Sequence, residues 1–465
     1  MTQTGNITSF YFLGIGGIGM SSLARYFRNL GYRVAGYDRT STKLTGQLRH
    51  EGIDVHFDDL GRRVCELAPD KDSSLVVYTP AIPGDHGELT WFRENGYRIV
   101  KRSQLLGMIC NSKKCIAVAG THGKTTISAM VANILHHSAV GCGAFLGGIA
   151  KDFGSNLVMP GPEDRWFVTE ADEYDHSFLQ LTPDIAIVTY MDADHLDVYG
   201  DCQSLKESFL RFAAQVRPGG CLVVRKELAA EFPEFPGIRV YTYSLSEDAD
   251  FSAIGLLPDD HSKCYGFQLK TPSGTTGMIG MKYPGLLNVE NAVAAGAAAF
   301  LAGAEPFEVE KGIKTYSGVE RRFDVRFSGY RSVYIDDYAH HPAEIKAFIS
   351  SVRLIYTGKR ITGIFQPHLY SRTRDFAPQF AESLDLLDSI LLLPIYPARE
   401  LPLPGVTSEL ILSYMSPGDK HVGERGQVLD FIRERKPEVL LTMGAGDIDL
   451  LAGEISDFLR NEEGF

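Results

Sequence analysis

Three features predict an α/β protein of three domains. Short apolar runs, each closed by a glycine-rich or acidic turn and followed by helical periodicity, recur along the chain, as in mostly parallel sheets covered by helices. Two of the turns, Gly14–Gly19 and Gly120–Gly123, are glycine loops of the phosphate-cradling kind. The length of 465 residues exceeds one ordinary domain. The expected layout is a Rossmann-like domain over 1–106, a central P-loop ATPase domain with a mostly parallel sheet over 107–322, and a Rossmann-like C-terminal α/β domain over 323–465.

Composition narrows the function classes. With 44% hydrophobic and 22% charged residues the chain can bury large cores. A net charge of -12 argues against bulk binding of nucleic acid or of an anionic membrane. Seven cysteines, an odd number without any Cys-x-x-Cys pair, point to free thiols in a reducing compartment. Met1–Phe10 has no basic region, and glycines break the apolar run that follows, so no signal peptide is read. The Ala-rich stretch 292–304 is too short to span a bilayer. A cytoplasmic protein is expected.

In the first domain, Ser9–Leu13 reads as a strand, Met20–Leu30 as a helix and Tyr32–Tyr37 as a second strand ending at Asp38. Between the first strand and the helix lies Gly14-Ile-Gly-Gly-Ile-Gly19. Such a βαβ unit places a diphosphate against a helix N-terminus and an acidic side chain near a sugar hydroxyl. A lone Gly-x-Gly-x-x-Gly does not single out a nicotinamide cofactor. Leu75–Tyr78 and Arg98–Val100 are further strands, separated by the turn Thr79–Gly84.

The central domain is organised around Ile116–Thr126. A buried strand (116–119), the loop Gly120-Thr-His-Gly-Lys-Thr-Thr126 and a helical stretch (127–135) follow without a gap. Backbone N–H groups and the positive end of the helix converge on one place, which suits phosphate. Lys124 adds a positive charge for β/γ-phosphates and Thr125 a hydroxyl ligand for Mg²⁺. The usual spacing asks for a glycine where Val118 stands, so this is a shortened loop. A nucleoside triphosphate is the working reading.

Two strands later in this domain end in acidic loops. Trp166–Thr169 runs into Glu170-Ala-Asp-Glu-Tyr-Asp175, whose four carboxylates suit a nearby cation or a solvated loop. Ile185–Thr189 runs into Asp192-Ala-Asp-His-Leu-Asp197, a second cation site or a helix-capping cluster. Residues 221–282, with short strands at 221–224 and 240–243, read as an antiparallel appendage. Asn288 and Asn291 then share one face at the start of an Ala-rich helix, as a cap or as readers of an adenine edge.

The third domain follows the basic link Ser317–Phe323. Val333–Ile335 ends in Asp336-Asp-Tyr-Ala-His-His-Pro342, with Pro342 suited to the first turn of a helix over 343–352. Ile361–Phe365 ends in Gln366-Pro-His-Leu-Tyr-Ser-Arg-Thr-Arg374. Strands at 390–394 and 439–442 lead into loops 395–400 and 443–447.

Taken in order, the glycine-rich first turn, Gly-Thr-His-Gly-Lys-Thr-Thr, Glu-Ala-Asp-Glu, Asp-Ala-Asp-His-Leu-Asp, Glu-Arg-Arg-Phe, Asp-Asp-Tyr-Ala-His-His-Pro and Phe-Gln-Pro-His span essentially the whole chain. This constellation resembles the Mur ligase family. The resemblance implies an ATP-dependent carbon–nitrogen ligase of peptidoglycan synthesis, with ATP and Mg²⁺ as cofactors. In that reaction the lactyl carboxylate of UDP-N-acetylmuramate is phosphorylated, and L-alanine attacks the acyl phosphate. The alternative within the family joins a preformed tripeptide to the same sugar nucleotide in cell-wall recycling; the compact loop Ile395–Glu400 favours L-alanine. A monomer or weak homodimer is expected, and the acidic balance gives no nucleic-acid or membrane partner.

The implied site residues follow from the matched motifs. Gly16, Gly17, Ile18, Gly19, Met20, Asp38 and Ala81 would hold the UDP part. Gly120, Thr121, Gly123, Lys124, Thr125, Thr126, Asn288, Arg322 and Asp337 would bind ATP. Thr125 and Glu170 would hold one Mg²⁺ and His195 another. His122, His340, His368 and Arg372 would contact substrate; Lys124, His195, His341 and Arg372 would act in catalysis.

Three departures from the family pattern stand out. Leu286 and Leu287 occupy an Arg-His pair before Asn288, Leu369 replaces an arginine after His368, and Tyr190-Met-Asp192 replaces Asn-Ile-Glu. A nicotinamide oxidoreductase would use the first glycine turn but leave the P-loop and acidic loops without a role. A nucleotide-binding regulator would fit the missing basic residues, but the retained Lys124, Glu170 and His195 argue against it.

Overall fold

The structure is a computed structural model that describes residues 7–67, 70–192, 199, 201–259, 263–398 and 400–464. The described residues fall into two compact units, one within 1–259 and 264–318 and the other centred on 319–464.

The first unit holds two sheets. In the first are β1 (Ser9–Leu13), β2 (Arg33–Tyr37), β3 (Asp54–His56), β4 (Ser74–Tyr78) and β5 (Arg98–Lys101). They are all parallel, in the order β3-β2-β1-β4-β5. Its central strand is apolar on both faces, as a covered parallel sheet requires. Phe10 and Phe12 join one core with α1 (Ile18–Asn29), whereas Tyr11 and Leu13 join another with Leu89 and Phe92. The switch in strand order falls beside β1, so the Gly14–Gly19 turn opens at the crevice where ligands of such sheets sit.

The second sheet contains β6 (Lys114–Ala119), β7 (Gly143–Ala150), β8 (Ser155–Val158), β9 (Trp166–Glu170), β10 (Ile185–Val188), β11 (Cys221–Arg225), β12 (Arg239–Ser244), β13 (Phe251–Pro258), β14 (Tyr265–Thr271), β15 (Gly274–Thr275) and β16 (Ile279–Gly280). The order is β15-β14-β13-β12-β11-β10-β6-β9-β7-β8, with β16 on β14. β6 lies between β9 and β10 and is parallel to both. The phosphate loop is thus flanked by the two strands that lead into acidic loops. Residues 221–282 differ from the expected antiparallel appendage. β11, β12 and β13 extend the sheet in parallel, and antiparallel pairing within this stretch starts at β14. Short apolar strands do not reveal their direction, because burial on one face looks alike in either pairing.

The two sheets of this unit are locked by side chains. The Tyr26 ring on α1 packs against Phe145 and Phe167 of the second sheet at 5.4 and 6.1 Å. Buried Arg25 donates to Glu51 and, at 2.6 Å, to Asn156 Oδ1 on β8. The Asn156 amide donates back to Ile18 O at 2.6 Å and Ser21 Oγ at 2.9 Å.

The second unit carries β17 (Asp324–Ser328), β18 (Val333–Asp337), β19 (Ile361–Phe365), β20 (Ser389–Leu392), β21 (Asp419–Val422) and β22 (Val439–Met443), in the order β17-β18-β22-β19-β20-β21. β17 is antiparallel to β18; the other pairs are parallel. The helix after β18 runs Pro342–Ile355 with Pro342 in its first turn, where the missing N–H costs nothing. Among the described residues no helix is long and apolar enough to cross a membrane.

Candidate active site

The phosphate loop has the geometry its sequence requires. Gly120 has φ +127°, and a Cβ there would stand 2.0 Å from Thr189 Oγ1. Gly123 has φ +83° and caps α5 (Lys124–His136), so the helix begins at the lysine, three residues earlier than its apolar periodicity shows. Thr189 Oγ1 donates to His122 O at 2.5 Å, Thr121 N to Tyr190 O at 3.0 Å and Asp192 N to Thr121 Oγ1 at 3.3 Å. These bonds stitch the loop to the end of β10. Thr125 is buried on the first turn of α5, and Thr126 follows it.

Lys124 Nζ donates to Gly120 O at 2.7 Å and to Glu173 Oε1 and Oε2 at 2.8 and 2.9 Å. The Glu173 side chain is fully buried, and that of Lys124 is 16% exposed. Burial works against the lysine charge, but Glu173 and Asp172 outweigh it and hold the ammonium above its ordinary pKa. Burial also pushes the Glu173 carboxyl up, against the pull of Lys124.

Glu170 ends β9 beside β6. Its Oε1 is buried without a hydrogen-bond partner among the described residues. A Cβ on Gly147 would stand 2.2 Å from Oε2, so that glycine makes room for the carboxylate. A buried carboxylate oxygen without a donor is costly, and a hard cation bound there would remove the cost. The carboxylate and the Thr125 hydroxyl are the donor types that Mg²⁺ accepts when substrate phosphates complete its shell. His195, Asp194 and Asp197 lie outside the described residues. Among those described, no group of three or more His, Cys, Asp or Glu forms a metal cluster.

Beside the loop, His122 Nε2 stands 3.4 Å from Asp192 Oδ2, and its ring meets that of Tyr190 edge-on at 5.7 Å. The Tyr190 hydroxyl donates to Glu290 Oε2 at 2.9 Å, and Arg225 Nε to Glu290 Oε1 at 2.9 Å. The Arg225 guanidinium covers the Tyr190 ring at 4.4 Å. Asn288 and Asn291 share the first turns of the helix Leu286–Leu301, with Asn291 Nδ2 donating to Asn288 Oδ1 at 3.2 Å. Asn288 also donates to Pro284 O at 2.7 Å, and Asn291 Oδ1 lies near Gly123. Leu286 and Leu287 are exposed.

In the first sheet, α1 begins at Ile18, two residues before the expected Met20. Asp38 does not stand clear of the turn: Oδ2 accepts from Gly16 N at 2.8 Å and Oδ1 from Thr40 N at 3.0 Å. Each oxygen keeps a lone pair for a sugar hydroxyl. Gly17 N donates to Gly14 O, and Ala81 lies in the turn closed by Ile82 N to Thr79 O at 3.0 Å. A Cβ on Gly19 would lie 2.9 Å from the Arg102 guanidinium, which also reaches Asp172 at 3.7 Å.

In the second unit, Asp337 accepts from Phe323 N at 2.7 Å and Ala339 N at 2.8 Å. Burial pushes its carboxyl up to about 6, against Arg322 and these two N–H groups. Glu344 accepts from His340 N at 3.0 Å and His341 N at 3.1 Å. Burial works against the Glu344 charge, but His340, Arg322 and these bonds hold it down at about 2. His340 is itself held below the usual histidine range, first by burial, with Arg372 adding to the effect. Its ring stands 6.0 Å from that of His368, which stacks on Tyr396 at 5.7 Å. The next residue, Leu369, adopts φ +72°, in the region L residues avoid. His341 instead caps the helix Pro342–Ile355 and packs its ring edge-on against Phe376.

The sequence reading thus missed Glu173, Arg102, Tyr190, Arg225, Glu290 and Glu344 as parts of these clusters. Glu173 sat within a quoted motif, but spacing does not tell which of four carboxylates points inward.

The fold and the loop define a P-loop nucleotide-binding protein whose phosphate loop lies between two acid-tipped strands of an α/β sheet. The chain belongs to the Mur ligase family. Three family models match it: the Mur ligase family catalytic domain over 9–114, the Mur ligase middle domain over 118–299 and the Mur ligase glutamate ligase domain over 321–453. It is 45% identical to the UDP-N-acetylmuramate–L-alanine ligase of Phocaeicola vulgatus, over 98% of this chain and 99% of that protein. To the enzyme of the same name from Parabacteroides distasonis it is 46% identical, over 97% of each. Among solved structures, UDP-N-acetylmuramate–alanine ligase from Thermotoga maritima matches with TM-score 0.79 at 25% identity, over 98% of this chain and 99% of that one. A murein peptide ligase from Psychrobacter arcticus shares the fold, with TM-score 0.72 at 24% identity over 98% and 99%.

Proposed function

We propose that the chain is an ATP-dependent ligase that joins L-alanine to the lactyl carboxylate of UDP-N-acetylmuramate, releasing ADP and phosphate. Full-length identity of about 45% to relatives bearing that activity in their names supports the substrate pair. The observation that carries the chemistry is the phosphate loop with Lys124 bonded across it to Gly120 O and the unpartnered Glu170 Oε1 on the adjoining strand. A carboxylate is a poor acylating agent, and transfer of the ATP γ-phosphoryl group to it supplies a leaving group. Catalysis then consists mostly of positioning and charge neutralisation.

Individual roles are assigned from the family motifs together with the local geometry. Gly120, Thr121, Gly123, Thr125 and Thr126 present N–H and hydroxyl donors to the phosphates, and Lys124 neutralises the transferring group. Glu170 and Thr125 would hold Mg²⁺, which would supply charge neutralisation for the phosphates; His195 would hold a second ion. Asn288 reads the adenine edge. Gly16, Gly17, Ile18, Gly19, Met20, Asp38 and Ala81 hold the UDP part, with Arg102 over Gly19 as an added cation for the diphosphate. Arg322 and Asp337 serve ATP, and His340, His368 and Arg372 the amino acid. Burial disfavours the charge on His340, which lessens its repulsion of an ammonium substrate. The enzyme would work in the cytoplasm.

The test is phosphate release from ATP with Mg²⁺ and UDP-N-acetylmuramate, comparing L-alanine with the L-Ala–D-Glu–diamino-acid tripeptide. Release that requires L-alanine supports the proposal; release with the tripeptide alone transfers the enzyme to recycling.

A further inference from the structure

The four carboxylates of Glu170–Asp175 have four different neighbours. Glu170 lies against Gly147, Asp172 faces Arg102, Asp175 bonds Lys101 and Glu173 turns inward onto Lys124. An ammonium has three N–H donors. Lys124 uses one on Gly120 O and two on Glu173, so in this arrangement none is left for a phosphate oxygen.

We propose that Glu173 is a positioning residue that holds Lys124 in a saturated rest state, and that β- and γ-phosphates engage the loop by taking the ammonium over from it. The proposal rests on the reading of this loop as the ATP site. Glu173 competes directly with the ligand, because both are anions seeking the same three protons. A ligand that presents a β/γ-phosphate cluster can win that exchange; a monophosphate that does not reach the lysine cannot. Glu173 thereby sets a threshold of ligand charge for opening the loop.

The local backbone supports a built arrangement. Directly after Glu173 and Tyr174, Asp175 and His176 both adopt φ +53° with ψ of +29° and +25°, a left-handed pair that residues with a Cβ avoid. Three contacts hold this turn: Lys101 Nζ to Asp175 Oδ2 at 2.9 Å, Tyr199 Oη to Glu173 O at 2.6 Å, and His176 Nδ1 with Ser208 Oγ at 3.0 Å. The turn directs the Glu173 side chain to the loop and keeps it there without solvent exposure.

The experiment measures ATP, ADP and AMP binding calorimetrically, with Mg²⁺ but without the sugar nucleotide, on the full chain. Wild type, Glu173→Gln, Lys124→Met and the double variant are compared, each with its melting temperature. Glu173→Gln should bind ATP about tenfold more tightly, the scale of one charge-assisted bond no longer competed for. AMP affinity should stay within about twofold, below the scale of a lost bond. In the Lys124→Met background the gain for ATP should shrink to about threefold or less, the remainder being relief of charge repulsion through solvent. Unchanged or weaker ATP binding by a stable Glu173→Gln chain, or an equal gain without Lys124, overturns the proposal. Failure of wild type to bind ATP at all would instead remove the nucleotide reading beneath it. A structure of wild type with a non-hydrolysable ATP analogue gives an answer independent of variant folding. Lys124 Nζ should have exchanged at least one of its three present partners for phosphate; retention of all three beside a bound triphosphate overturns the proposal.

Discussion

Replacing Gly147 by alanine tests the Glu170 metal assignment without touching the acid itself. The new Cβ would stand 2.2 Å from Glu170 Oε2 and 2.4 Å from both Cδ and Oε1. Close C···O contacts run at about 3.3 Å, so the carboxylate must withdraw by roughly 1 Å. It is the far end of a flexible side chain, and the strand need not move. The cost to stability is then that of a displaced rotamer, about 0.5–1.5 kcal/mol. The cost to the metal is larger, because loss of even an outer-shell partner weakens metal affinity about 10–100-fold. In a phosphate-release assay the Mg²⁺ midpoint of Gly147→Ala should rise at least about tenfold, with a small shift in melting temperature. Glu170→Gln should move the midpoint the same way. An unchanged midpoint in both variants refutes the metal assignment; a shift in Glu170→Gln alone refutes the claim that Gly147 makes room for it.

Three further outcomes are expected. Lys124→Met should abolish phosphate release and leave UDP-sugar binding near wild type. It should also cost about 3–5 kcal/mol in urea unfolding, because Glu173 is left buried without its counter-ion, and adding Glu173→Gln should restore part of that loss. Asn156→Ala, which removes one acceptor from buried Arg25 and the donor to Ile18 O at the seam of the first unit, should cost about 1–3 kcal/mol by the same measurement. Asp337 has a folded pKa of about 6 against an unfolded value near 3.8, so the folded state holds the proton more tightly. Its carboxylate therefore opposes folding in full above pH 6, and the penalty fades as pH falls toward 4. Melting of wild type relative to Asp337→Asn should improve over that window by up to about 3 kcal/mol; a difference independent of pH would contradict the burial described for this group.

Much of this architecture was legible because its signals are local. Strand Ser9–Leu13, the loop at Gly120–Gly123 and strand Ile361–Phe365 each sit where apolar runs and glycines place them. Helices α1 and α5 begin two and three residues before their apolar periodicity does, since Ile18 and Lys124 are helical without being part of the buried stripe. What stayed hidden depends on contacts between distant segments. Tyr190, Arg225 and Glu290 come from two strand ends and a helix, and no spacing links them. Glu173 is set apart from Asp172 and Asp175 mainly by direction, which two left-handed residues help to set. His341 looks in sequence like the equal of His340, yet the first caps a helix and the second faces Glu344 and His368.

The Arg25–Asn156 lock has a practical consequence for dissecting the chain. A fragment cut near residue 110 would carry every residue of the first sheet, yet it would expose Tyr26 and leave the Arg25 guanidinium without Asn156. Such a piece would present an apolar helix face, and an Arg25 still paired with Glu51 but short of one acceptor, where a neighbouring sheet belongs, a recipe for precipitation or promiscuous sticking. Cloning boundaries drawn from the glycine-turn domain alone would therefore yield a poor reagent for studying the sugar-nucleotide site. Residues 1–318, which contain the whole first unit, keep that lock intact.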